Sequence, residues 1–179
     1  MKRLITLCLL GGCFLSAPAQ NYVSQAWVAD QGNGTYKNPV LYADYSDPDV
    51  CRVGDDYYLT SSSFNCLPGL QILHSKDLVN WEYLGGTMKN LPEWVVPKLN
   101  EIRKEMGLAE INPNVNDFGY WAPVVRKVKN GLYRMYYSIV CPGTLNGANT
   151  WSERAFIGLM ENNDPSNNDG WVDKGYVIT

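Results

Sequence analysis

The feature that most restricts the fold is a four-strand unit that occurs twice. In the first unit, the apolar run Val50 to Val53 meets Gly54-Asp55-Asp56, a hairpin turn signal, and returns as Tyr57-Tyr58-Leu59-Thr60-Ser61. Pro68-Gly69 marks the next turn, Leu70 to His74 the third strand, Ser75-Lys76-Asp77 a further break, and Trp81 to Thr87 the fourth strand. The second unit repeats the order with Pro123 to Val128, the hairpin dipeptide Asn130-Gly131, Leu132 to Tyr137, Ala155 to Met160, and a strand near Trp171 to Ile178. In both, the second strand is rich in tyrosine and the fourth carries a tryptophan, Trp81 or Trp171. Short antiparallel strands recurring in this way predict an all-β fold made of propeller blades; a sandwich with similar hairpins is the alternative. Between the units, Leu99, Ile102 and Met106 fall at helical spacing and Gly107 is a stop signal, so a short helical insertion is expected over Lys98 to Met106, followed by a loop from Asn112 to Asp117.

The start of the chain has a different character. Lys2 and Arg3 form a positive region, Leu4 to Leu15 is an apolar run, and Ala17-Pro18-Ala19 supplies small residues where a signal peptidase reads. A signal peptide over residues 1–19 is expected, with Gln20 as the mature N-terminus and a secreted or periplasmic destination in a bacterium. Leu10-Gly11-Gly12-Cys13 resembles a lipobox, and the alternative is a lipoprotein anchored through an acylated Cys13. The apolar run is too short to cross a bilayer.

Cleavage would remove two of the 15 basic residues and none of the 18 acidic ones, which moves the net charge from -3 to -5 (13 against 18) and argues against a nucleic-acid partner. Cys51, Cys66 and Cys141 remain, an odd number without metal-like spacing, compatible with at most one disulfide. Cys51 lies in an apolar strand pattern and reads as a buried, inert thiol. His74 is the only histidine, so a histidine-based triad or multi-histidine metal site is excluded within this chain; it reads as a packing or surface residue of an outer strand.

Several stretches in order carry a resemblance. Asn38-Pro39-Val40-Leu41, Ser46-Asp47-Pro48, Cys51 to Leu59, Pro68-Gly69-Leu70 and His74 to Trp81 together resemble the opening of glycoside hydrolase family 43. Tyr120-Trp121-Ala122-Pro123, Ala155 to Leu159 and Gly170 to Gly175 are similar to that family's second blade. The resemblance implies a five-bladed β-propeller that hydrolyses arabinose- or xylose-containing plant polysaccharides with inversion, of which residues 38–179 are the N-terminal part, about two blades. It implies three carboxylates: a general base, a second Asp that tunes and orients, and a Glu acting as general acid.

The base falls on Asp47, directly before Pro48, which is expected to hold it extended. Taken by itself, Ser46-Asp47-Pro48 is an Asx-turn, and Asp44 and Asp49 read as turn and solvent residues. Trp121 and Phe64 are the aromatics that the resemblance offers for sugar stacking, with inter-blade packing as the alternative. Val124 stands where many endo-arabinanases carry the second Asp; Glu153 and Asp117 lie nearby but do not match the motif. No residue here matches the general acid, which the family takes from a later blade. The residues are therefore expected to be a truncated, inactive portion by themselves, with a non-catalytic sugar-binding propeller as the alternative. No metal site is expected within them; the resemblance allows calcium in the full-length protein, with ligands mainly from later blades.

Overall fold

The computed structural model describes residues 26–111, 119–145 and 148–178. The expected leader with Cys13 and the loop holding Asp117 lie outside the described residues, as does the side chain of Glu153. The first blade is a meander of β1 (Asp49–Val53), β2 (Asp56–Thr60), β3 (Gly69–Ser75) and β4 (Trp81–Met88), hydrogen-bonded in that order. The second is β5 (Gly119–Lys127), β6 (Tyr133–Leu145), β7 (Ala148–Asn162) and β8 (Val172–Ile178), again in sequence order. All pairings are antiparallel, and the first strands of the two sheets, β1 and β5, lie side by side.

Local chemistry explains most of the boundaries. The β1–β2 turn has Gly54 at φ 64, and the β5–β6 turn has Asn130 and Gly131 at φ 66 and 76, left-handed values that Gly and Asn tolerate. The helix α1 (Val95–Glu105) begins three residues before Lys98. Pro97 does not delay it, because a proline in the first turn forfeits only an N–H that has no intrahelical partner. β6 and β7 run well past their expected ends, pairing as far as Leu145 with Ala148. Pro142 is accommodated by a register shift between Val140 and Pro142.

The core lies between the sheets. Along β6, Tyr133, Met135, Tyr137 and Ile139 are buried, alternating with half-buried Arg134, Tyr136, Ser138 and Val140 on the opposite face. The buried row joins Leu70, Ile72 and Met88 of the first blade, together with Val95, Leu99 and Ile102 of α1, in one cluster. Each such apolar side chain contributes about 1.5–3 kcal/mol by leaving water. Trp94, at the start of α1, donates its Nε1–H to Asp173 Oδ2 at 2.9 Å and sets its ring edge-on to Phe156 at 6.4 Å, which ties the helix to β7 and β8.

Polar contacts fasten the sheets at their rims. The buried Asn168 donates from Nδ2 to the Gly86 carbonyl at 2.9 Å, and a Cβ on Gly85 would stand 2.7 Å from that same nitrogen. Gly85, at φ 132, thus meets a steric and a conformational demand together. The β3–β4 turn is organised by Asp77, which accepts from the Val79 and Asn80 amides at 2.8 and 2.7 Å. Hydrogen bonds from the Asn80 side chain and then from those two amides hold its carboxyl down to about 2. Asn80 also reaches Asp30 at 2.8 Å, binding the N-terminal segment to the blade. His74 sits on β3, half-buried against Asp56 at 2.6 Å.

Asp49 departs from the sequence reading. Instead of facing solvent it spans the seam, with Oδ2 accepting from the Val125 amide at 2.9 Å and from Arg126 Nη1 at 2.6 Å. The partners are 76 and 77 residues away, which is why no local pattern announces them. Asp49→Ala strands a part-buried amide and removes a charge-assisted bond. It is expected to lower unfolding stability by about 1.5–3 kcal/mol, read from the urea midpoint; a change within about 0.5 kcal/mol would show that the contact does not fasten the blades.

Candidate active site

The site grows from the point where the chain enters β1 and β5. The stretch Ser61-Ser62-Ser63 leaves the end of β2 and carries three hydroxyls into the seam, where their residues are 0, 2 and 6% exposed. Buried hydroxyls require partners, and each has one. Gln71 donates to Ser61 Oγ at 2.6 Å, and the Leu70 amide donates to Ser63 Oγ at 3.0 Å. Ser62 Oγ accepts from the Ala122 amide at 2.8 Å and donates to Asp47 Oδ2 at 2.5 Å. The Ser62 amide donates to the Ser46 carbonyl at 2.9 Å, so both its main chain and its side chain grip Ser46-Asp47.

Phe64 and Tyr120 form a two-way backbone bridge across the seam, Tyr120 N–H to Phe64 O at 2.8 Å and Phe64 N–H to Tyr120 O at 3.2 Å. This brings the Phe64 and Trp121 rings together edge to face, with centroids 4.6 Å apart and planes at 82°. Both rings are half-buried, so they contribute to the seam and also present surface beside the entrance of β1. A Cβ on Gly119 would overlap the Trp121 indole, so the glycine leaves room for the ring to fold back. Ser138 Oγ donates to the Trp121 carbonyl at 3.1 Å, anchoring this turn of β5 to β6. Tyr120 is fully buried, and burial pushes its hydroxyl above the usual phenol range.

Asp47, Phe64 and Ala122 all have positive φ, at 51, 52 and 44. Two of these, Asp47 and Ala122, immediately precede prolines. The expectation of an extended Asp47 is therefore overturned. Proline disfavours the right-handed helical region for its predecessor; here the alternative taken is the left-handed one, which aspartate tolerates, and Ser62 holds it in place. Each such residue costs about 1–3 kcal/mol, and two of them, Asp47 and Ala122, bond to the one Ser62 hydroxyl. The result is a solvent-facing carboxylate with one oxygen fixed by Ser62. Asp47 Oδ1 makes no hydrogen bond among the described residues.

The structure thus brings Asp47 to the Trp121-Ala122 turn and joins Phe64 to Trp121. Sequence reasoning missed Ser62. The available signal was a run of hydroxyls continuing from a buried strand, Thr60 to Ser63. Asp44 stays exposed and accepts from Ser46 Oγ at 2.8 Å, a turn contact as expected. Val124 is half-buried within β5, and Cys51 and Cys66 are free thiols. Among the described residues, no three His, Cys, Asp or Glu side chains are grouped to hold a metal ion.

The chain as a whole is similar to several known proteins. A beta-xylosidase of Formosa agariphila is 44% identical over 93 residues, 52% of this chain and 14% of the relative. A non-reducing end alpha-L-arabinofuranosidase of Bacteroides ovatus is 32% identical over 132 residues, 69% of this chain and 22% of the relative. The chain therefore spans less than a quarter of the length of these relatives. Among solved structures, a xylan beta-1,4-xylosidase from Bacillus halodurans superposes with a TM-score of 0.54 at 27% identity, covering 78% of this chain and 22% of that one. The native arabinanase of Bacillus subtilis gives 0.52 at 25% identity, with 76 and 39% covered. These neighbours are five-bladed propellers, and the two sheets are blades of such a ring. The profile of the glycosyl hydrolases family 43 matches residues 36–179, all of both blades, and the chain belongs to that family.

Proposed function

We propose that the protein built on these blades is an inverting glycoside hydrolase acting on arabinose- or xylose-containing plant polysaccharides, with Asp47 as its general base. The observation that carries this reading is a solvent-facing carboxylate, fixed through one oxygen by Ser62, which also binds the turn where Trp121 meets Phe64. Inversion needs a carboxylate that takes a proton from water while that water's oxygen attacks the anomeric carbon. A protonated carboxyl on the opposite face gives its proton to the departing oxygen. The two groups stand about 6.5–9.5 Å apart so that the water fits between them. Asp47 Oδ1 is suited to the water, and the Phe64 and Trp121 rings to the apolar face of a sugar. The relatives' names, xylosidase, arabinofuranosidase and arabinanase, support the substrate class, and the general acid is assigned to a blade outside these residues.

A non-catalytic sugar-binding propeller would keep the aromatic pair without needing Asp47, and Val124, unable to carry charge, favours it. Asp47→Ala in the five-bladed protein separates the two. Turnover of an aryl xyloside or arabinofuranoside is expected to fall by several orders of magnitude, because the attacking water is no longer activated. Azide should restore part of it as a glycosyl azide of inverted configuration, since an anion needs no deprotonation. Near-normal turnover after Asp47→Ala would remove the assignment.

The basic start, apolar run and Ala17-Pro18-Ala19 support export to the periplasm or beyond, with Gln20 as the mature N-terminus. Mass spectrometry of the secreted or periplasmic protein should find that terminus. A lipid-modified Cys13 terminus would show membrane anchoring instead.

A further inference from the structure

We infer that Ser62 is a positioning residue for the general base, setting the orientation and accepting geometry of the Asp47 carboxylate; the inference rests on the reading of Asp47 given above. Three features of Ser62 point this way. Its hydroxyl direction is decided, because its oxygen already accepts the Ala122 amide at 2.8 Å, and the hydroxyl proton is directed to Asp47 Oδ2 at 2.5 Å. Its own place is decided too: the residue is 2% exposed, and its amide is bonded to the Ser46 carbonyl at 2.9 Å. Finally, the carboxylate needs such a partner. Asp47 is exposed, its left-handed φ of 51 is unfavourable for a non-glycine residue, and Ser62 supplies the side-chain hydrogen bond that it receives among the described residues.

The consequence is a division of labour between the two carboxylate oxygens. Oδ2 is occupied by a short O–H···O⁻ bond, so the proton-accepting lone pairs that face solvent are those of Oδ1. Rotation of the carboxylate about its Cβ–Cγ bond would break that bond, so the water-facing oxygen is held in one orientation. The same serine transmits the position of the second blade to the base, because its oxygen is fixed by the Ala122 amide of β5. Alignment of the base is then a property of the seam and not of β1 alone.

A serine that served only to join the blades would matter equally with or without Asp47. A two-residue cycle in the five-bladed protein distinguishes these roles. Ser62→Ala is expected to lower kcat about 10- to 100-fold with KM little changed, the size of a lost hydrogen bond to a charged group or of a small misplacement of a reacting one. In the Asp47→Ala background, where azide replaces the activated water, Ser62→Ala should cost no further azide-supported turnover, because the residue acts through a carboxylate that is no longer there. Equal losses in both backgrounds would overturn the inference and leave Ser62 a blade fastener, as would wild-type kcat in the single Ser62→Ala variant. Normal turnover of Asp47→Ala alone would instead overturn the base assignment, a result separate from either of these.

Discussion

Two sheets can stack by their apolar faces, but strand ends and connecting segments bring polar groups into the join, and every one that is buried has to find a partner across it. Here Ser62, in the serine run after β2, performs that task. Ser61, Ser62 and Ser63 are buried and each hydroxyl is bonded, Ser62 directly to the second blade through the Ala122 amide. Asp49 repeats the device one strand over, gripping Val125 and Arg126. Without these bonds the Tyr58, Leu70 and Tyr120 packing would still draw the sheets together, yet their register along the seam would be poorly specified. Register is what the site depends on, because the candidate base comes from one blade and Trp121 from the other.

That dependence explains why left-handed residues gather at the same place. Asp47 and Ala122 precede prolines and both turn at positive φ, with Ser62 bonded to each. The unfavourable conformations persist because the surrounding hydrogen bonds over-determine them. The reward is a carboxylate that faces solvent but does not swing freely.

Regular elements were legible where chemistry is local. Gly54 and Asn130-Gly131 marked the hairpins, the recurrent unit gave the blades, and helical spacing gave α1. Misses came from compensation and distance. The helix starts earlier than Lys98 because Pro97 sits in a first turn that tolerates it, and β6 runs past Tyr137 because a bulge takes up the irregularity at Pro142. Asp49 was misread because its partners lie 76 and 77 residues away. Asp47 was found through the motif around it, whereas its backbone conformation came out differently because Ser62, a tertiary contact, decides between the regions open to a residue before proline. Phe64 and Trp121 both read as candidate stacking aromatics, and the Phe64–Tyr120 bridge shows why they meet.

The central claim is that Asp47 is presented for water activation rather than for attack on the sugar itself. The anomeric configuration of the first-formed sugar, followed by proton NMR before mutarotation, addresses it most directly. With an aryl β-xyloside and the five-bladed protein, the account predicts that α-xylose appears first and β-xylose grows in later. Initial release of β-xylose would contradict it, since retention requires a nucleophilic carboxylate and a pair only about 5–5.5 Å apart.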